Sequence, residues 1–337
     1  MATLKDIAKS AGVSESTVSK VLNGYSEIPF ATKDRVLSIA KHMNYFPNKS
    51  AVELSKGKRR YIGLIVRNFS LDPGIGEYTY RLISGIHNQA SLVDYELVVY
   101  TTHQISDKNL SYVDFCNYHS LLGAIVHGLD KDDPYLLELQ NSKTPCVLID
   151  IERQGINTAF ISTDNVKAAE AVADLFCQSG HKKFCHVTGS EGADVTSTRI
   201  AGFNKGIVKN GLPAESIINI RGDFIEDTAY QKVKEALTNH PDITAIFASS
   251  DTMALGAYKA VKEAGLSLGE NFSLIGFDGL YTLEYISPAI GTVYQDFYSI
   301  GKLAADTLLK IADNKHYSPK NYVDYKLLPR ESVNTVT

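Results

Sequence analysis

The sequence has few cysteines, and they are widely spaced. None of the four belongs to a C-x-x-C pair; they are Cys116, Cys146, Cys177 and Cys185. This spacing argues against a disulfide framework and against a zinc site, so we expect buried, reduced thiols.

Long apolar runs and catalytic signatures are also missing. No run approaches the roughly 18 to 20 residues that cross a bilayer. Met1–Asp6 has neither the basic start nor the apolar block of a signal peptide, and we expect a cytoplasmic protein. There is no G-x-S-x-G elbow, P-loop or H-E-x-x-H, and Gly74–Gly76 alone does not define a nucleotide site. We therefore expect no enzymatic activity, no cofactor and no metal.

What is present is a chain of two or three folding units with an uneven charge. Its 337 residues are 44% hydrophobic and 21% charged, an ordinary globular composition. Residues 1–60 hold eleven Lys and Arg against five acidic residues, a net charge of +6, which leaves −10 for the remainder of a chain of net charge −4. A basic head on an acidic body indicates that the head binds a polyanion.

The sequence of the basic head predicts three short helices. Thr3 is placed to cap the first helix and Gly12 to make the turn that follows it. Ser14 is placed to cap the second, and Thr32 or a neighbour starts the third. The apolar face of the first helix consists of Leu4, Ile7, Ala8 and Ala11. Helix, glycine turn and helix form a helix-turn-helix.

The stretch "YFPNKSAVELSKGKRR" connects the head to the body. Pro47 suits a first helical turn and Gly57 a stop, so Asn48–Leu54 reads as a short helix. Because it is shorter than the ~12–15 residues a helix needs to stand alone, we expect it to order only when something holds it.

From Tyr61 onward, apolar runs alternate with helical stretches. The runs are "YIGLIV", "YELVVY", "LLGAIV", "CVLID", "KFCHVT", "SIINI", "TAIFAS" and "FSLIGFD", and "YVDYKLL" is strand-like near the end. Helices are predicted at Tyr80–Ala90, Ala168–Gln178, Thr252–Ala264 and Ile300–Ala312. Two sets of four such strands predict two doubly wound, parallel-sheet lobes with a cleft between them.

These motifs resemble the LacI/GalR transcriptional regulators over essentially the whole chain. "TLKDIAKSAGVSESTVSKVLNG" and "MNYFPNKSAVELSKG" match that family's headpiece and hinge, and "SGHKKFCHVTG", "TRIAGF", "LIGFDG" and "VYQDF" match its core. The resemblance implies an all-α helix-turn-helix headpiece and an α/β periplasmic-binding-protein-like core of two doubly wound lobes. The implied domains are a headpiece at 1–46, a hinge helix and linker at 47–60, and an effector-binding and dimerisation core at 61–337. The first lobe is expected at about 61–161 and 290–322, the second at about 162–289 and 323–337.

The resemblance also implies which residues meet DNA. Glu15, Ser16 and Lys20 match base-reading positions of a helix that enters the major groove. Positions that serve the backbone or support docking are Thr17, Ser19, Asn23 and Thr32, and further DNA-binding candidates are Leu4, Lys5 and Ser14. In the hinge, Leu54 matches a minor-groove wedge and Ala51 its close-packing neighbour. Tyr45, just before the hinge, and Asn48 match phosphate and groove contacts.

Simpler roles remain open for three of these residues. Glu15 is also a favourable first-turn acid for a helix, Lys20 an ordinary solvated lysine, and Leu54 an ordinary core residue.

Six residues match effector-binding positions of the family's cleft, where the implied ligand is carbohydrate-like. These are Asp150, Arg199, Phe224, Asp251, Asp278 and Gln295. The sequence departs from the family at Ser250, where an asparagine is common, and in the loop at 67–78. The identity of the ligand does not follow from the motifs.

We therefore expect a dimeric repressor that reads a pseudo-palindromic operator and responds to a small effector. One alternative is control by a protein partner, as in the catabolite-control branch of the family. That branch needs basic residues on the helix after "QDF", where this chain has Asp306 among scattered lysines. A second alternative, a sugar-binding transport or enzyme domain, does not account for the basic headpiece.

Overall fold

The computed structural model describes residues 3–22, 25, 27–43, 61–67, 73–106 and 110–335. The chain divides into two compact units between Arg60 and Tyr61. The predicted hinge at 47–60 lies outside the described residues.

The head contains the three predicted helices. They are α1 (Leu4–Ala11), α2 (Glu15–Leu22) and α3 (Phe30–His42). Thr3 and Asp6 form a capping box at the start of α1, and Gly12 ends it with a positive φ of 64°. The third helix begins at Phe30, two residues before Thr32, because Pro29 precedes it with a φ suited to entering a helix. The head's core consists of Ile7, Ala8, Ala11, Val18, Val21, Val36 and Ala40.

The body contains two six-stranded sheets. The first has the order β11-β5-β4-β3-β1-β2 and the second β12-β10-β9-β8-β6-β7. All neighbouring strands are parallel except β10 and β12. The strands are β1 (Tyr61–Val66), β2 (Glu96–Thr101), β3 (Leu121–His127), β4 (Cys146–Ile149), β5 (Thr158–Thr163), β6 (Phe184–Thr188), β7 (Ile217–Arg221), β8 (Ala245–Ala248), β9 (Ser273–Asp278), β10 (Gly291–Gln295), β11 (Lys320–Val323) and β12 (Tyr325–Leu328).

Helices cover both sheets, which accounts for the continuous apolar runs of the strands. They are α4 (Pro73–Ser91), α5 (Thr102–Ser106), α6 (Tyr112–Tyr118), α7 (Pro134–Asn141), α8 (Asn165–Gln178), α9 (Asp194–Lys209), α10 (Glu226–Asn239), α11 (Asp251–Glu263) and α12 (Phe297–Ala312). Buried residues form two apolar clusters against each sheet. The predicted fold class is confirmed: a helical headpiece and an α/β core of two parallel-dominated lobes.

The lobe boundaries differ from the prediction. All eight predicted strands form, but β5 and β10 were not predicted, and the last strand-like run divides into β11 and β12. Residues 290–322 were predicted to belong to the first lobe. The strand β10, which lies at the start of that range, belongs instead to the second sheet because it pairs with β9. The described chain therefore passes between lobes at 163–165, 295–297 and 323–325.

The cysteines and the lengths of the helices were also predicted from the sequence. Three cysteines are buried and Cys177 is half-buried, all as free thiols. Within the ranges that the structure describes, no helix is long and apolar enough to cross a bilayer.

Candidate functional site

The second helix of the head presents the polar surface that the sequence predicts. Val18 and Val21 are buried in the head's core, whereas Glu15, Ser16 and Lys20 are exposed. Ser14 caps the helix by accepting a hydrogen bond from the Thr17 amide at 3.1 Å. The side chains available for base contacts therefore lie on the surface of a capped, well-anchored helix.

The Lys20 ammonium is available to a nucleic acid. Its Nζ lies 3.7 Å from the Glu27 carboxylate, and the two side chains are 50% and 73% exposed. A solvated pair of this kind contributes little free energy, so a phosphate or a guanine edge competes easily for the lysine.

The other DNA-contact candidates fall into three groups. Lys5 is exposed, and Thr17, Ser19 and Thr32 are half-buried. Leu4 packs partly against the head's core, which agrees with the apolar face predicted for the first helix. Outside the described residues lie Asn23, Tyr45, Asn48, Ala51 and Leu54.

In the body, the candidate effector residues gather where strands of the two sheets end. Asp150 follows β4, Phe224 follows β7, and Asp278 and Gln295 end β9 and β10. Open parallel sheets bind ligands at these carboxyl ends. Asp150, Phe224 and Asp278 have positive φ angles of 62°, 62° and 122°. Backbone strain in residues other than glycine is costly and typically concentrates at functional sites.

Arg199 is a buried cation that enters the cleft from α9. The residue is only 3% exposed, and its guanidinium lies 3.7 Å from the centroid of the Phe277 ring. Its Nε donates to Asn165 Oδ1 at 2.8 Å and its Nη1 to the Ser249 carbonyl at 2.5 Å. Burial lowers the pKa of the guanidinium, and the nearby carboxylates, Asp278 foremost, oppose that shift. These two hydrogen bonds fix the orientation of the guanidinium. Because the cation is desolvated, its hydrogen bond to an oxygen atom of a ligand is stronger than it would be in water.

A chain of hydrogen bonds joins Arg199 to Asp150 across the two lobes. Asn165 holds Arg199 and donates to Ser162 Oγ at 3.0 Å, and Ser162 donates to Asp150 Oδ1 at 2.5 Å. Ser162 and Asn165 were not predicted as site residues. The available signal was the polar run "STDN", whose serine and threonine are the last two residues of β5, a strand that was not predicted.

Asp278 and Gln295 form a second pair. Gln295 Nε2 donates to Asp278 Oδ1 at 2.9 Å, and Gln295 is fully buried. Among the described residues, Gln295 Oε1 has no hydrogen-bond partner, which leaves a desolvated acceptor at this point. Burial raises the pKa of Asp278 to about 8; Arg199 opposes this shift and Asp251 adds to it.

Asp251 does not occupy the contact position predicted for it. It is fully buried, and its Oδ2 accepts hydrogen bonds from the Gly279 and Leu280 amides at 2.7 and 2.6 Å. Its Oδ1 accepts one from Thr292 Oγ1 at 2.7 Å. Burial raises its pKa to about 6 against the lowering effect of these bonds. Asp251 therefore holds the backbone amides of the segment after Asp278 from the interior of the second lobe and does not line the cleft.

Phe224 and Ser250 are placed by local packing. The Phe224 ring lies against Gly189, where any Cβ would overlap it, so the ring stands over the end of β6. Ser250 caps α11 by accepting from the Met253 amide at 3.2 Å, a role that an asparagine also fills.

A helix-turn-helix head and a two-lobed core with a polar cleft, in one chain, define a DNA-binding transcriptional regulator. Residues 3–48 match the model of the bacterial regulatory proteins of the lacI family, and residues 173–333 match a periplasmic binding protein-like domain. The chain belongs to the lacI family of bacterial regulatory proteins and is a DNA-binding transcriptional repressor of that family.

Individual relatives agree. The probable HTH-type transcriptional repressor ExuR of Bacillus subtilis (strain 168) is 32% identical over 343 residues, covering 100% of both chains. The lac repressor dimer bound to operator and the anti-inducer ONPF superposes with a TM-score of 0.87 at 24% identity, covering 99% of each chain. A transcriptional regulator CelR–cellobiose complex superposes with a TM-score of 0.73 at 22% identity, covering 98% of this chain and 100% of that one. These two likenesses show the fold.

Proposed function

We propose that this repressor binds a pseudo-palindromic operator as a homodimer and that a small carbohydrate-like effector in the cleft controls its affinity for DNA. The observation that carries the effector part is the convergence of a buried Arg199 with Asp150 and Asp278 at strained strand ends. Acting on DNA, the protein would work in the bacterial cytoplasm.

In the headpiece (1–46), Glu15, Ser16 and Lys20 would read base edges. Their exposure on a capped helix supports this assignment. Supporting contacts in the headpiece would come from Leu4, Lys5, Ser14, Thr17, Ser19, Asn23, Thr32 and Tyr45. In the hinge at 47–60, contacts would come from Asn48, Ala51 and Leu54.

The cleft chemistry suits a ligand rich in hydroxyl groups. Arg199 Nη2 makes no hydrogen bond to the described residues and can donate to a hydroxyl oxygen of the ligand. Gln295 Oε1, which also has no partner among them, can accept a hydrogen bond from a hydroxyl group of the ligand. Asp150 and Asp278 each retain an oxygen for a further hydroxyl, and Phe224 offers an aromatic face.

Dimerisation is supported by exposed tyrosines on the 61–337 core. Tyr80 on α4 and Tyr285 in the second lobe are 71% and 72% exposed. Aromatic side chains of this kind are enriched at protein interfaces, and a two-fold dimer matches an inverted repeat in DNA.

A thermal-shift screen of the full chain against neutral mono- and disaccharides, sugar alcohols and sugar phosphates tests the effector proposal. A compound at 100 times its Kd should stabilise the protein by about 2.7 kcal/mol. The shift should disappear in Arg199→Ala and in the isosteric Asp278→Asn, and persist in Asp306→Ala, a surface control on α12. No shift with any compound, while operator binding is intact, would contradict the sugar proposal and favour the protein-partner alternative.

A further inference from the structure

The segment Gly279–Tyr281 is hydrogen-bonded from both lobes. Asp251, in its own lobe, accepts from the first two amides. From the first lobe, Glu77 on α4 accepts from the Tyr281 amide at 3.1 and 3.0 Å, and Arg81 Nη1 donates to the Gly279 carbonyl at 3.2 Å. Four backbone groups of three consecutive residues are thus held by two carboxylates and a guanidinium.

Glu77 and Arg81 act as one unit. They form an ion pair one helical turn apart, and their side chains are only 25% and 24% exposed. The Arg81 guanidinium also lies 5.5 Å from the centroid of the Tyr294 ring, in the second lobe. Because the pair is half-buried and each member also bonds to backbone, its geometry is more restricted than that of a solvated surface pair.

The held segment directly follows Asp278, whose φ of 122° is the most unusual of the cleft residues. We propose that Glu77 and Arg81 are positioning residues, which set the backbone next to Asp278 from the opposite lobe and hold the two lobes in contact at this edge. The inference about Asp278 rests on the proposed function, whereas the inference about the contact between the lobes does not.

A second contact between the lobes supplies an independent readout. The Lys131 amide donates to the Gly192 carbonyl at 2.7 Å, and the Glu152 amide donates to Asp194 Oδ2 at 3.1 Å. These groups follow β3, β4 and β6, and none of them contacts Glu77 or Arg81. If the α4 pair holds the lobes in contact, its removal must also expose the Lys131 and Glu152 amides.

Residue-resolved hydrogen exchange on the full chain, without effector or DNA, tests the proposal. In Glu77→Ala and Arg81→Ala, the Lys131 and Glu152 amides should exchange about tenfold faster than in the wild type. The control is Asp306→Ala, which removes another one-turn ion pair, to Lys310 on α12, and should leave both amides unchanged. If Tyr281 exchanges faster while Lys131 and Glu152 keep wild-type rates, the pair is a local contact and the proposal is overturned.

A milder variant covers the case in which the alanine variants do not fold. Glu77→Gln keeps an acceptor for the Tyr281 amide but loses the charge toward Arg81, so exchange of Lys131 and Glu152 should accelerate by a smaller factor. Wild-type exchange at both amides in Glu77→Gln would overturn the role of the ion pair. Because no sugar is present, a negative result leaves the effector proposal intact, and a negative sugar screen leaves the exchange result intact.

Discussion

Removing the Asp251 carboxylate should destabilise the second lobe strongly. Asp251→Ala leaves two buried backbone amides and the Thr292 hydroxyl without their acceptor. A hydrogen bond to a charged group contributes about 1.5–3 kcal/mol. The cost of burying the carboxylate, which raises its pKa to about 6, offsets part of that sum. We expect a loss of about 4 kcal/mol in the free energy of unfolding, typical of breaking a buried charged network.

Urea unfolding followed by far-UV circular dichroism measures this loss, since the chain has no tryptophan to report by fluorescence. With a slope of about 2 kcal/mol per molar, the midpoint of the core transition should fall by about 2 M. Thr292→Val, which removes one of the three bonds to the carboxylate, should cost about 1.5–3 kcal/mol. Asp251→Asn should also be destabilising, because its amide group faces donors.

The control Asp306→Ala, which removes a half-exposed ion pair with Lys310, should change stability by less than about 0.5 kcal/mol. A loss below about 1 kcal/mol in Asp251→Ala would refute the inference that this carboxylate braces the segment after Asp278.

Three further predictions follow from the cleft and the head. Burial raises the pKa of Asp278 to about 8, so the folded protein keeps a proton that the unfolded chain releases near its ordinary pKa of about 4. Stability should therefore fall as pH rises from about 4 to 8, and Asp278→Asn should reduce that fall in urea midpoints at pH 5 and 8.5; an equal fall in both proteins would contradict it. Gly189→Ala, whose Cβ would overlap the Phe224 ring, should lower stability by about 1–3 kcal/mol in thermal unfolding. Gly76→Ala, where a Cβ meets nothing within 4 Å, should not, and equal effects would contradict the packing argument. Lys20→Ala should weaken binding to an operator selected from a random duplex library by about 1–3 kcal/mol and relax its sequence preference, as a lost base contact does; unchanged preference would assign the lysine to phosphate.

The sequence predicted the elements whose signals are local. Residues within one or two helical turns determine the apolar seam of Val18 and Val21, the cap at Ser14 and the αL turn at Gly12. The eight runs of Val, Ile and Leu became strands because both faces of each sheet are covered. The strand β5 was missed because its sequence, "TAFIST", contains three hydroxyl residues, and only the folded structure shows that Thr158 and Ser162 are hydrogen-bonded within the protein.

The site was predictable only as a set of candidates. Motif matching named Asp251 but carries no information on which way a carboxylate points, and its three partners come from residues 28 to 41 positions away. The contact of Glu77 with Tyr281 spans 204 positions. Neither residue belongs to a motif, so no local pattern marks the contact between the lobes. Whether the remaining cleft and head residues bind effector and DNA stays a prediction.

The most direct test of the account is the coupling between DNA and sugar. Operator affinity is measured with and without a saturating sugar identified in the thermal-shift screen, and the affinity for that sugar is measured with and without the operator. If one cleft controls one DNA-binding head, the two affinities must change by the same factor, since coupling free energy is reciprocal. A sugar that binds equally well to free and operator-bound protein would contradict the account.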